Sequence, residues 1–301
     1  MQYLWIVLIL FYGIFKSFRE ALKKKAMESC SVIEVLFFYT FFAFLLTIPF
    51  AIGQNIFSVS IQYHLAILIK SFAIFVGWLC ALTAMKRLPL SIYCVMDMSR
   101  MLFSVLLGII ILGETFSGWL QGIGLTLVLA GVLLVNLKKD KKTGEKTTYK
   151  AIPLVIISCI LNAVSAVIDK YTLSTAPNRW LFGNEILTDA QMQFWYMLYL
   201  SSLYGIYILI RLALKKEKIS PVKCLKCPWI YILSILFMLA DKAAFIANSD
   251  PNSKVVTMTV LQQVSVIVTI LLGKMLYKEK HILYRLGCAG LIIIGIVISI
   301  I

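Results

Sequence analysis

Four small groups of polar residues interrupt otherwise apolar sequence, and theirs are the side chains equipped for chemistry. Asp97 and Arg100 lie three residues apart in Met96-Asp97-Met98-Ser99-Arg100, Asp241 and Lys242 are adjacent, Asp169 and Lys170 close an apolar run before Tyr171, and Gln262-Gln263 is the fourth group. An acid and a base at i,i+3 share a helix face and can pair. Arginine stays protonated in proteins and offers a planar fork suited to a carboxylate, while an Asp that loses its partner in a buried site can take up a proton. Asp241 and Lys242 point about 100° apart on a helix, so each needs a partner on another element. Gln262 and Gln263 can bond between helices or face a cavity.

The same residues exclude other chemistry. His64 and His281 sit at loop edges, no Ser or Cys nucleophile has a base close by in sequence, and zinc-protease, diphosphate-binding and Walker-type motifs are absent. The sequence thus predicts neither an enzyme nor a cofactor. Cys224-Leu225-Lys226-Cys227 has metal-ligand spacing, but no second pair is near, so no metal is expected. Cys80, Cys94, Cys159 and Cys288 fall in apolar runs and suit packing.

The elements that carry these groups are membrane-like. Of 301 residues, 61% are hydrophobic and 14% charged, and the mean hydropathy is +0.91. A spanning helix takes roughly 20 apolar residues. Ten runs qualify, near 3–20, 32–53, 62–85, 89–112, 116–137, 151–171, 190–213, 228–247, 252–276 and 281–301. We therefore expect an all-α integral membrane protein with ten transmembrane helices. The first run lacks a cleavage pattern and is expected to persist as a helix. At roughly 1.5 Å per residue from Pro89, Asp97 and Arg100 lie about 12 and 16 Å into a core about 30 Å thick. Lys70, about two turns inside the third helix, is expected to reach out along its stem, and so is the Asp169–Lys170 group at a helix end.

A constant offset of 165 residues places Leu106-Leu107-Gly108 on Leu271-Leu272-Gly273, Glu114 on Glu279, Gly122 on Gly287, Val132 on Val297, and Asp97 on Gln262. In both copies an apolar helix breaks at a Glu and resumes as a Gly-bearing helix. This reads as a duplication, with five helices in 1–137, a basic linker at 138–150 and five more in 151–301; five being odd, the repeats are inverted.

The net charge of +15 is sorted by loop: 23 of the 29 Lys and Arg, counting flanks such as Lys16, Arg211, Lys274 and Arg285, follow odd-numbered helices. The bias places those loops in the cytosol and both termini outside a cell membrane. Attraction to anionic membrane lipids is a secondary consequence, and no nucleic-acid partner is implied.

On these residues the chain resembles the drug/metabolite transporter superfamily, in particular EamA-type carriers with ten helices in two five-helix repeats. The matching features are the helix–Glu114–helix and helix–Glu279–helix repeats, Asp169-Lys170-Tyr171 closing helix six, and Asp97-Met98-Ser99-Arg100 in helix four. The resemblance implies a carrier moving a small organic solute, amino-acid-like or otherwise polar or amphipathic, by alternating access about a site between the repeats. It also implies cytosolic termini and broken fourth and ninth helices, whereas here the charge bias is reversed and only Pro89 and Pro251, near the helix starts, are present. Charge near the midplane costs several kcal/mol and marks a pathway, so Arg100, Asp97, Gln262, Gln263 and Lys242 are the expected solute contacts. Asp97, Asp241 and Asp169 are the candidate proton sites, with Asp97 the expected counter-ion of Arg100. The competing reading, a membrane scaffold that keeps the fold without transport, has little use for these charges.

Overall fold

The structure, a computed structural model, describes residues 4–112, 119–137, 145–173, 186–214, 221–250, 253, 258, 261–262, 264–279 and 281–300. Among these the chain is helical throughout, with no strand. The helices are α1 (Leu4–Ala26), α2 (Val32–Ala51), α3 (Ile61–Arg87), α4 (Leu90–Asp97), α5 (Arg100–Leu112), α6 (Trp119–Leu137), α7 (Glu145–Leu173), α8 (Asp189–Ala213), α9 (Pro221–Leu225), α10 (Pro228–Ser249), α11 (Val264–Tyr277) and α12 (Ile282–Ile300). Six stretches are long and apolar enough to cross a membrane: α2, α3, α8, α10, Leu90–Gly108 and Ala151–Leu173.

Local sequence sets the ends. Ser31 and Thr188 build capping boxes with Glu34 and Gln191, satisfying the first free N–H groups of α2 and α8. Pro228 opens α10, where a missing N–H costs nothing. The basic linker read at 138–150 gives way to helix earlier than expected, at Glu145.

The bundle inverts the polarity of a soluble protein. Phe72 and Leu209 are 57% and 65% exposed on its outside, while Lys16, Arg19, Lys23 and Lys70 are buried within it. An apolar exterior around a charged interior is stable in lipid and would aggregate in water. The protein is a multi-pass membrane protein.

Helix α1 packs on α10 and α11, α7 on α3 and α5, α2 on α8, and α6 on α12. Two approaches are closed by glycine. A Cβ on Gly13 of α1 would lie 3.3 Å from the Gln262 carbonyl oxygen, and one on Gly131 of α6 would lie 2.4 Å from Cγ1 of Ile292 in α12.

The fourth span is not the continuous helix expected over 89–112. It breaks between α4 and α5, without proline, through a tight turn in which Met98 N–H donates to Val95 O at 3.2 Å and Ser99 N–H to Met96 O at 3.0 Å. These are i→i−3 bonds, which tighten the helix and turn its successor. The Ser99 hydroxyl donates to Met96 O at 2.8 Å, and the Cys159 thiol on α7 approaches the Met96 and Asp97 carbonyls at 3.9 and 3.8 Å. Backbone groups freed by the break therefore find side-chain partners, as they must at membrane depth.

Candidate functional site

The polar face of α1 is the start of the site. Tyr12, Lys16, Arg19 and Lys23 recur at spacings of four, three and four, which brings them to one side of a helix whose opposite side carries Val7, Phe11 and Phe18. That face lines a central cavity of about 110 Å³, walled also by α3, α4, α5, α7, α8, α10 and Gln262. The volume suffices for several waters or a small polar solute.

Five ion pairs cross or line this cavity, one of them between Arg19 Nε and Glu20 Oε1 at 3.9 Å. Lys16 Nζ meets Asp97 Oδ2 at 3.1 Å, Arg19 Nη1 meets Asp241 Oδ1 at 3.3 Å, Lys23 Nζ meets Glu20 Oε1 at 2.9 Å, and Lys70 pairs with Asp169. Aromatic rings supply further compensation. The Lys70 ammonium is 4.0 Å from the Tyr196 ring centroid and 4.4 Å from that of Phe245. Arg19 lies over Phe237 and Trp78 at 5.3 and 5.6 Å, and Lys23 over Trp78 at 4.8 Å. Buried ions are tolerated only when their charge and their protons are both answered, and the ring faces answer part of it.

Arg100 differs from the other cavity cations. It lines the cavity yet has neither a hydrogen bond nor an ion pair among the described residues. The direct contact of Asp97 is with Lys16 across the cavity, while Arg100, beyond the break, interacts with Asp97 through its charge without an ion-pair contact. The cavity thus holds five cations (Lys16, Arg19, Lys23, Lys70, Arg100) against four carboxylates (Glu20, Asp97, Asp169, Asp241).

The remaining sequence candidates separate. Asp241 faces the cavity, whereas Lys242 points to Asp189 at the start of α8, 2.5 Å away, and does not line it. Asp169 faces in, but Lys170 donates to Asn248 O and Asp250 O at 3.2 Å each and to Ser253 Oγ at 2.8 Å. Gln262 lines the cavity; Gln263 and Glu114 lie outside the described residues. Lys70, expected to snorkel, is 2% exposed and held on Asp169. Lys16, Arg19 and Lys23, counted as basic loop flanks, are instead wall residues. Their signal was in the sequence as the four-three-four spacing.

Residues 3–137 match the EamA-like transporter family. The first part of the chain is thus similar to that family. A solved structure described as "Crystal structure of protein" superposes on this chain with a TM-score of 0.65, covering 98% of this chain and 96% of its own at 15% sequence identity; at that identity the likeness concerns the fold alone. No curated protein matches the chain.

Proposed function

We propose that this protein is a secondary carrier that moves a small polar organic solute by alternating access, with the central cavity as its site and Arg100 as the group that receives an anionic part of the solute. The observation that carries the reading is the Arg100 guanidinium, which among the described residues makes no hydrogen bond or ion-pair contact, in a cavity whose other four cations each make one. A fork of N–H donors in low dielectric favours a carboxylate or phosphate held by two parallel bonds. Two further buried atoms without hydrogen-bond partners, Arg19 Nε and Glu20 Oε2, are available to the rest of such a solute. The two inverted five-helix repeats are supported by matched packing: α1 on α10 and α11 has its counterpart in α7 on α3 and α5.

Proton coupling belongs to the same proposal, and the partners rank the candidates. Asp97 and Asp169 are paired with lysines, which can surrender a proton, so each pair can become neutral by an internal transfer. Asp241 is paired with Arg19, which cannot. We assign coupling to Asp97 or Asp169. The test is uptake into proteoliposomes from a panel of carboxylates, zwitterions, phosphate esters and amines, with and without a pH gradient. The expected result is movement of solutes bearing an anionic group, abolished by Arg100→Gln. Movement of amines alone, or of nothing on the panel, overturns the assignment.

A further inference from the structure

Glu279, at which the apolar helices of the second repeat break, does not line the cavity, and the structure gives it a different task. Glu279 lies in the short connection between α11 and α12, flanked by Lys278 and His281 at φ values of 50° and 59°. Non-glycine residues rarely adopt that left-handed conformation. The Glu279 carboxylate crosses to the other half of the chain and caps α4. Leu90 N–H donates to Oε1 at 2.6 Å, Ser91 N–H to Oε2 at 3.1 Å, and the Ser91 hydroxyl to Oε2. The buried Arg285 of α12 donates from Nη1 to Glu279 Oε2 and to Ser91 Oγ, both at 2.8 Å.

Neighbouring contacts draw the same four elements together. Lys24 Nζ donates to Leu88 O at 2.8 Å and lies 3.9 Å from Glu279 Oε1, and Tyr277 donates from its hydroxyl to Ala21 O at 2.8 Å. Gly273 leaves room for the arrangement, since a Cβ there would lie 3.2 Å from both Glu279 Oε2 and Ser91 Oγ. Beneath this cluster Ala21, Met85, Leu88 and Leu90 are at most 2% exposed. The cluster lies at the end of the bundle where α1 and α3 finish and where Lys25, Lys86 and Arg87 lie. Helix α4 spans the gap between cluster and cavity: its first residues are held by Glu279, and its last, Asp97, is paired with Lys16 in the cavity wall.

We propose that Glu279 is a positioning residue for transport: it latches α4 and so shuts the basic end of the path, and its release from the α4 N-terminus opens that end. The inference rests on the alternating-access reading, but its test needs no solute. A carboxylate on a helix N-terminus is favoured by the unpaired N–H groups and the helix dipole, and loses most of that advantage as a neutral amide. The probe is the labelling rate of Ala166→Cys, a cavity-lining position, above the background of the native cysteines. A membrane-impermeant maleimide is applied from each side of oriented vesicles.

With Glu279→Gln, labelling from the basic end is expected to rise at least fivefold while labelling from the other end does not rise. The reverse arm is the pair Ser91→Cys/Gly273→Cys, closed to a disulfide by diamide, which takes up the two protons and two electrons. Closure is expected to drop labelling from the basic end below the parent rate until dithiothreitol reopens the bond. Unchanged labelling in Glu279→Gln, or an equal rise from both ends, overturns the latch. Should that variant fail to fold, the disulfide arm decides, because labelling indifferent to closure has the same meaning. Failure of the carrier reading would appear separately, as a parent protein that moves no solute.

Discussion

At the residue scale the cavity is a set of answered charges with one left over, and substitutions sort by which kind they touch. Arg100→Lys keeps the charge and loses the fork, so binding of an anionic probe from the proteoliposome panel should weaken about tenfold, near the 1.5 kcal/mol of one charge-assisted hydrogen bond. Binding of the probe to Arg100→Lys as tight as to the parent would show that the guanidinium geometry is irrelevant. Asp97→Asn acts on the answered kind. It strands the Lys16 ammonium in the wall and should cost about 3 kcal/mol, seen as a lower melting temperature in detergent, whereas Asp97→Asn with Lys16→Met should recover most of the loss. Equal melting of single and double variants would mean that Lys16 finds another partner. Much of this was legible in the chain: Asp97, Arg100, Asp169 and Asp241 stand out against apolar sequence. Lys16, Arg19 and Lys23 were not read as wall residues because charge at the end of a spanning run is ordinarily a solvated flank, and only the period of four, three and four distinguishes the two cases. Who pairs with whom was not legible at all, since it depends on which helices meet.

At the element scale the decisive features are the break in the fourth span and the glycine-lined contacts. The break could not be read from sequence, because the local signals of a helix stop, Pro and Gly, are missing from Met96 to Arg100. It is held by Ser99 within the turn and by Cys159 from a helix sixty residues away in sequence, and the second of these is invisible to any local pattern. The glycine contacts were half legible: Gly131 was recognised as a flat surface, but its partner was not. A side chain there meets Ile292 Cγ1 at 2.4 Å and the Cys288 carbonyl at 3.2 Å. Gly131→Leu should therefore separate α6 from α12 at a cost of about 1–3 kcal/mol, read as a lower melting temperature. Gly122→Leu, whose Cβ meets nothing within 4 Å, should melt like the parent. If the two variants lose stability equally, the contact is not what Gly131 serves.

At the scale of the whole molecule, the charge bias and the electrical state of the cavity both bear on how the protein sits in the membrane and how the proposed carrier would work. Removing the wall residues Lys16, Arg19 and Lys23 from the loop count thins the basic side without reversing it, since Lys25, Lys86 and Arg87 remain at its surface. A cysteine introduced as Lys86→Cys should therefore react with an impermeant reagent only from the cytosolic face, and labelling from outside intact cells would invert the orientation. The surplus guanidinium has a further, electrical meaning. With formal charges the vacant carrier holds one positive charge more than it can balance, and a monoanion in the cavity brings the sum to zero. On the proposed carrier reading, a turn with a monoanion and no coupled proton moves no net charge through the field, whereas the vacant carrier drags a cation with it, at up to about 2.3 kcal/mol per 100 mV if the whole potential is crossed. Membrane voltage should accordingly act on the vacant return stroke. On that reading, a potassium diffusion potential imposed with valinomycin should change net flux severalfold and leave one-for-one exchange of a monoanion without a coupled proton untouched, so that the voltage acts on the empty carrier alone.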